Sequence, residues 1–150
     1  DALPILVNAQ QRYSHLSWLS TALIDIDRPL TEQGIAADSQ DLLVMAGGLN
    51  NARNSEQTIR WLAEVLQPGG AMLITEPTRE HLEILTSQAF MMPPPQDDRQ
   101  RSEQRFLSPE QWQDLLQRAG LICEACLPDE GHVLAPLGQR LFIARRPGNA

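Results

Sequence analysis

The sequence predicts an open α/β fold: a mostly parallel sheet, flanked by helices, with an antiparallel carboxyl-terminal edge. Three observations carry this. Two short apolar runs, Asp41 to Ala46 and Ala71 to Ile74, suit strands covered on both faces. Between them, Ser55 to Gln67 places Ile59, Leu62, Ala63 and Leu66 at helical spacing, so the three segments read as a βαβ unit, right-handed by rule. The strands also end on an acid or on glycines, at the carboxyl edge where open α/β sheets bind their ligands.

In chain order, the first element is a helix over Pro4 to Tyr13. Leu19 to Ile26 follows as an apolar-leaning strand that ends at Asp25, with Asp27 just beyond. The strand at Asp41 to Ala46 opens into Gly47-Gly48-Leu49-Asn50-Asn51. After the helix, Pro68 cannot continue it, and Gly69 and Gly70 permit the positive φ of a chain reversal. The next strand closes on Glu76. Three strand ends therefore deliver Asp25, Gly47 to Asn51 and Glu76 to one rim.

Beyond Glu76 the sequence predicts a helix from about 79 to 91. Residues 93–105 combine Pro93-Pro94-Pro95 with a charged run that has little to bury, the pattern of a mobile solvated loop or lid. Ser108 then reads as an N-cap, with Pro109 at the first helical position and Gln111 completing a capping box. Trp112, Leu115, Leu116 and Ala119 form the apolar face of that helix, and Gly120 ends it. Leu121 to Leu127 and Gln139 to Arg145 are the two tail strands, joined by Pro128 to Gly138.

Composition narrows the function classes. At 150 residues the chain holds one domain or part of one. A domain of this type that opens on a helix and a strand end lacks its first βα unit, so the chain is expected to be a fragment of a larger polypeptide. The net charge is −7, and all 12 basic residues are arginine. No basic run is present to neutralise phosphates, which argues against nucleic acid as a partner. Without lysine there is no Schiff base and no P-loop lysine. No apolar stretch approaches the roughly 18 residues of a membrane span, and two cysteines make no disulfide framework. A cytoplasmic protein is the expectation. Cys123 and Cys126, three apart on a strand, are expected on opposite faces and without a metal role.

Taken in order, the segments Asp25-Ile26-Asp27-Arg28-Pro29-Leu30-Thr31-Glu32-Gln33-Gly34-Ile35, Asp41 to Ala46, Leu66-Gln67-Pro68-Gly69-Gly70 and Ser108-Pro109-Glu110-Gln111-Trp112 to Ala119-Gly120-Leu121 resemble a known family. It is that of the S-adenosylmethionine-dependent methyltransferase domains embedded in polyketide synthases and nonribosomal peptide synthetases. Glu76-Pro77-Thr78-Arg79-Glu80 and Ser87 to Met92 resemble those of siderophore-type synthetases. The resemblance covers nearly the whole chain.

It implies a Rossmann-like class I methyltransferase fold, present in part, and a carrier-protein-tethered substrate amid neighbouring synthetase domains. It implies S-adenosylmethionine as cofactor, with Asp25, Ile26, Ala46 and Gly47 on the donor side; Asp1 coincides with the acid that holds the ribose hydroxyls. Glu76 and Asn50 occupy the catalytic positions. The glycine-rich turn that supports the methionine part of the donor is not in this chain, so binding by the chain alone is expected to be weak or absent.

Carbon-methylating relatives carry Leu-His where this chain has Leu49-Asn50. An asparagine cannot abstract a proton near neutral pH. Three readings stay open at this level: a methyltransferase whose chemistry needs no such base, a noncatalytic scaffold of the same fold, and an embedded epimerase using Glu76. Blander roles also remain open, with Asp25 as a turn residue and Glu76 as an acid leading a helix.

Overall fold

The computed structural model describes residues 3–148; Asp1 lies outside them. Its strands are β1 (Gln40–Ala46), β2 (Leu66–Pro77), β3 (Ile122–Leu127) and β4 (Gln139–Arg145). Its α-helices are α1 (Leu3–Arg12), α2 (Ser55–Val65), α3 (Leu82–Ser87), α4 (Arg99–Ser102) and α5 (Pro109–Arg118). The sheet runs β1-β2-β4-β3, with β1 parallel to β2 and the other two pairings antiparallel. The parallel pair joined by a helix and the antiparallel carboxyl-terminal edge are both as the sequence predicts.

α2 begins where Asn54, the residue before it, accepts a hydrogen bond from Gln57 N–H at 2.9 Å. Its inner face buries Ile59, Leu62, Ala63 and Val65 against Met72 and Ile74 of β2. The helix ends at Val65, two residues before its expected end, because Leu66 is already extended and pairs with Gln40. The Pro-Gly-Gly segment thus lies inside the β2 span, at an irregularity in the ladder. A Cβ on Gly70 would come within 2.9 Å of the Gln67 carbonyl oxygen and 3.1 Å of that of Gln40. Only glycine fits there without moving backbone.

α5 carries the expected capping box, with Ser108 and Gln111 bonded reciprocally. Trp112, Leu115 and Leu116 are buried, and Trp112 meets Phe142 of β4 with ring centroids 6.0 Å apart. Two helices on one face of the sheet therefore make a single apolar core.

Four expectations are corrected. Leu19 to Ile26 is not a strand. The backbone N–H and C=O of Asp25, which a ladder would have used, instead pair with the side-chain amide of Gln33 at 2.8 and 2.9 Å. The helix expected over 79–91 is shortened to α3, followed by a 3-10 turn at Ala89–Met91. In the 93–105 segment, expected to have little to bury, Arg99 is 2% exposed at the start of α4. Cys123 and Cys126 face the same side, both packed on the core. A register shift between Cys123 and Ala125 reverses the alternation, so Cys123 pairs with Ala144 and Cys126 with Phe142. Burial pushes both thiols up, away from reactivity.

Candidate active site at the carboxyl end of the sheet

β1 and β2 run parallel, so their carboxyl ends open on the same side. β1 continues into Gly47, whose N–H donates to the Thr75 carbonyl at 2.9 Å, and then into a 3-10 turn at Leu49–Asn51. This turn folds over the end of β2. Leu49 N–H donates to Glu76 Oε1 at 2.6 Å, and Asn50 Nδ2 donates to Glu76 Oε2 at 2.8 Å. Both carboxylate oxygens are therefore engaged, and Glu76 is only 1% exposed.

Burial raises the Glu76 pKa above the ordinary glutamate range, and the donors from Leu49 and Asn50 partly offset the rise. The side chain of Asn50 is itself almost fully used. Its Nδ2 also donates to the Pro77 carbonyl at 3.1 Å, and its Oδ1 accepts from Leu107 N–H at 3.3 Å. Asparagine here supplies two donors and one acceptor at fixed angles, which neither protonation form of a histidine matches.

Asp25 and Ile26 reach this edge by a different route. They lie on a loop docked to the β1–α2 connection: Thr58 Oγ1 donates to the Ile26 carbonyl at 2.9 Å, and Arg53 N–H to Asp27 Oδ1 at 2.7 Å. Asp25 is exposed. Its Oδ1 accepts from Asp27 N–H at 2.9 Å, and its Oδ2 has no partner among the described residues. Ala46 and Gly47 are exposed where β1 ends, and Gly47, at φ +77°, has nothing within 4 Å of where a Cβ would stand.

The structure thus joins Glu76 to Asn50 directly, and ties the Asp25 loop to the connection that presents Asn50. Gln33, Arg99 and Leu107 were not legible as site residues: Gln33 acts through a loop, Arg99 sits in a charged run, and Leu107 contributes only its N–H. A cavity of about 440 Å³ opens elsewhere, between the start of α2, residues 97–99 and α5. Neither Glu76 nor Asp25 lines it. Among the described residues no cluster of His, Cys, Asp or Glu is arranged to hold a metal ion, and no helix is long and apolar enough to cross a membrane.

A mixed sheet in the order β1-β2-β4-β3, with a carboxylate closing β2, defines the partial Rossmann-like fold of the class I methyltransferases. The CurJ carbon methyltransferase superposes with a TM-score of 0.81 at 22% identity, over 95% of this chain and 39% of that one. The trans-methyltransferase CalH, in complex with SAH, gives 0.73 at 20% identity, over 95% and 40%. In sequence the chain is 35% identical over 142 residues to pyochelin synthetase PchF of Pseudomonas aeruginosa, covering 93% of this chain. It is 35% identical over 78 residues, 51% of the chain, to the hybrid PKS-NRPS synthetase lepA of Aspergillus flavus. The chain spans 8% of the length of the first and 2% of the second. No family model matches it. Fold and sequence together establish the resemblance to the methyltransferase domains embedded in peptide and polyketide synthetases.

Proposed function

We propose that this chain is the carboxyl-terminal part of one S-adenosylmethionine-dependent methyltransferase domain of a peptide or polyketide synthetase, acting on a carrier-tethered intermediate. The observation that carries this is the Leu49–Asn50–Glu76 arrangement, a rigid polar corner at the ligand-binding edge of a class I methyltransferase sheet. The residues on the donor side suit the cofactor. The unpartnered, exposed Oδ2 of Asp25 can accept from an adenosine amino or hydroxyl group, Ile26 offers an apolar neighbour, and the open space at Ala46 and Gly47 lets a ligand approach the backbone.

When bound, the donor supplies an electrophilic methyl on a sulfonium. Transfer of that methyl needs alignment more than proton abstraction. Glu76 and Asn50 fit this demand. With both carboxylate oxygens engaged, Glu76 holds the turn at Leu49–Asn51 in one geometry, and the turn shapes the acceptor side. An acceptor that arrives with a lone pair, such as a neutral amine, needs no base for the transfer itself. A cytoplasmic location and a siderophore context are part of the same proposal, and the similarity to pyochelin synthetase supports the siderophore context.

The experiment is a single-turnover assay of the whole protein with methyl-labelled S-adenosylmethionine and its loaded carrier domain. Label transferred to the tethered intermediate is the expected result. Donor-independent isomerisation of a tethered thiazoline would instead select an epimerase. A protein that neither binds donor nor changes the intermediate would be a scaffold.

A further inference from the structure

Residues 96 to 99 run along the backbone of the β1–α2 connection and bond to it at successive points. Gln96 N–H donates to the Arg53 carbonyl at 2.6 Å, and Asp97 Oδ2 accepts from Ser55 N–H at 2.9 Å. Arg99 Nη1 donates to the Asn50 carbonyl at 2.7 Å, and Nη2 donates to the Ala52 carbonyl. The guanidinium is held in that position by Asp97, whose two oxygens accept from Nε and Nη2, each at 2.8 Å. Eight residues on, Leu107 N–H takes the side-chain oxygen of Asn50. Asn50 is thus gripped by its backbone from Arg99 and by its side chain from Leu107, while its amide nitrogen holds Glu76.

We infer that Arg99 is a positioning residue. With Asp97 it latches the 96–107 segment onto the β1–α2 connection, and this fixes the Leu49 and Asn50 donors on Glu76. The chemistry requires an arginine at that point. A planar fork with donors on three nitrogens can satisfy two carbonyls and a bidentate carboxylate at once, which the single ammonium of lysine cannot do. The two carbonyls also lie in buried surroundings, where unpaired acceptors are costly. The 93–105 segment and the carboxylate at the end of β2 therefore form one coupled unit, although 22 residues of sequence lie between Glu76 and Arg99. This deepens the reading of Glu76 as part of the acceptor side and rests on it for its meaning, though not for its test.

The test is residue-resolved amide hydrogen exchange on the intact protein. In Arg99→Gln the Leu49 amide, which donates to Glu76, is expected to exchange at least tenfold faster, while the amides of β2 from Met72 to Ile74 keep their protection. Arg99→Lys restores part of the protection. Asp97→Asn, which keeps the shape of the site, gives the same pattern at smaller amplitude and carries the test where Arg99→Gln does not fold. An unchanged Leu49 amide in these variants overturns the latch. So does a uniform rise across Leu49 and β2 alike, which would make Arg99 a packing residue only. A methyl-transfer assay that fails while the exchange pattern holds would defeat the functional reading and leave the latch standing.

Discussion

Asp25 lies exposed on a loop and is held in place chiefly by one side chain, Gln33, whose amide reaches the Asp25, Arg28 and Pro29 backbones. Glu76 is buried and held by two donors, one of which belongs to a residue gripped in turn at two points by the 96–107 segment. On the proposed function, the difference teaches how the two sides of the site are built for different work. A group that recognises a ligand keeps a free acceptor in solvent. A group that sets geometry gives up its free valences to the protein. It follows that changes on the Glu76 side should cost stability and rate together, and changes on the Asp25 side should cost affinity alone.

The largest effect should come from Arg99→Met. It leaves two buried carbonyls and Asp97 without their partner, and removing one member of a buried pair costs about 3 kcal/mol at the lower end of the usual range. The lower end applies because Asp97 keeps the Ser55 N–H. Urea unfolding measures it, and a loss below about 0.5 kcal/mol would place Arg99 outside the network.

Glu76→Gln is next. The amide keeps the shape but turns an NH2 group towards one of the two donors, leaving it unpaired at a cost of about 1–3 kcal/mol. The change has a pH signature. Burial raises the pKa of Glu76 in the folded chain, so its contribution is most favourable below the unfolded value and is lost as pH rises through the raised one. Asp97 behaves oppositely. Partial burial pushes its pKa up, but the bonds from Arg99 and Ser55 outweigh this and lower it, so its contribution is present at neutral pH and lost as pH falls through the lowered value. Unfolding midpoints from pH 7 to pH 4 should therefore gain less, or fall, in Glu76→Gln relative to wild type, and should fall less in Asp97→Asn.

Asn50→Asp sharpens the same point by placing a second carboxylate against Glu76. Two like charges in a buried site cannot both ionise cheaply, so one pKa climbs further. The variant should be clearly destabilised at pH 7 and should recover as pH falls towards 5. Equal destabilisation at both values would show that the Asn50–Glu76 contact is not formed in solution.

The smallest effect on the fold belongs to Gln33→Ala. The bonds it removes are largely exposed, so stability should drop by less than about 1 kcal/mol. Donor affinity should nonetheless fall several-fold, because the Asp25 backbone is no longer clasped. A loss of stability without a loss of affinity would reverse the assignment of that loop.

Much of this was legible in the sequence, and the reasons differ by element. The β1–α2–β2 unit announces itself because apolar spacing, a proline and paired glycines all punctuate it in agreement. The α5 capping box is legible because its hydrogen bonds span only three residues. Glu76 stands out as an acid closing a strand, and Asn50 by the resemblance, since it stands where carbon-methylating relatives carry histidine. What escaped was non-local or neutral in pattern. Leu19 to Ile26 has the composition of a strand, but Gln33, eight residues from Asp25, takes the backbone groups that a ladder needs. Arg99 lies in a run of Asp, Arg, Gln and Glu that reads as solvated, and nothing local tells which member turns inward. Cys123 and Cys126 share a face, against the alternation expected of a strand, because of a register shift of one residue, which leaves no mark in composition.

The most direct test of the central claim compares two variants of the intact protein, Asp25→Ala and Glu76→Gln, for donor affinity by calorimetry and for methyl transfer in single turnover. The account predicts a crossed result. Asp25→Ala should weaken S-adenosylmethionine binding about tenfold or more and leave the rate at saturating donor nearly unchanged. Glu76→Gln should bind the donor almost normally and lose about 10²-fold in the transfer step, the cost of a misplaced reacting group. Equal losses of affinity in both variants, or an unchanged transfer rate in Glu76→Gln, would contradict the division of the site into a recognising side and a geometry-setting side.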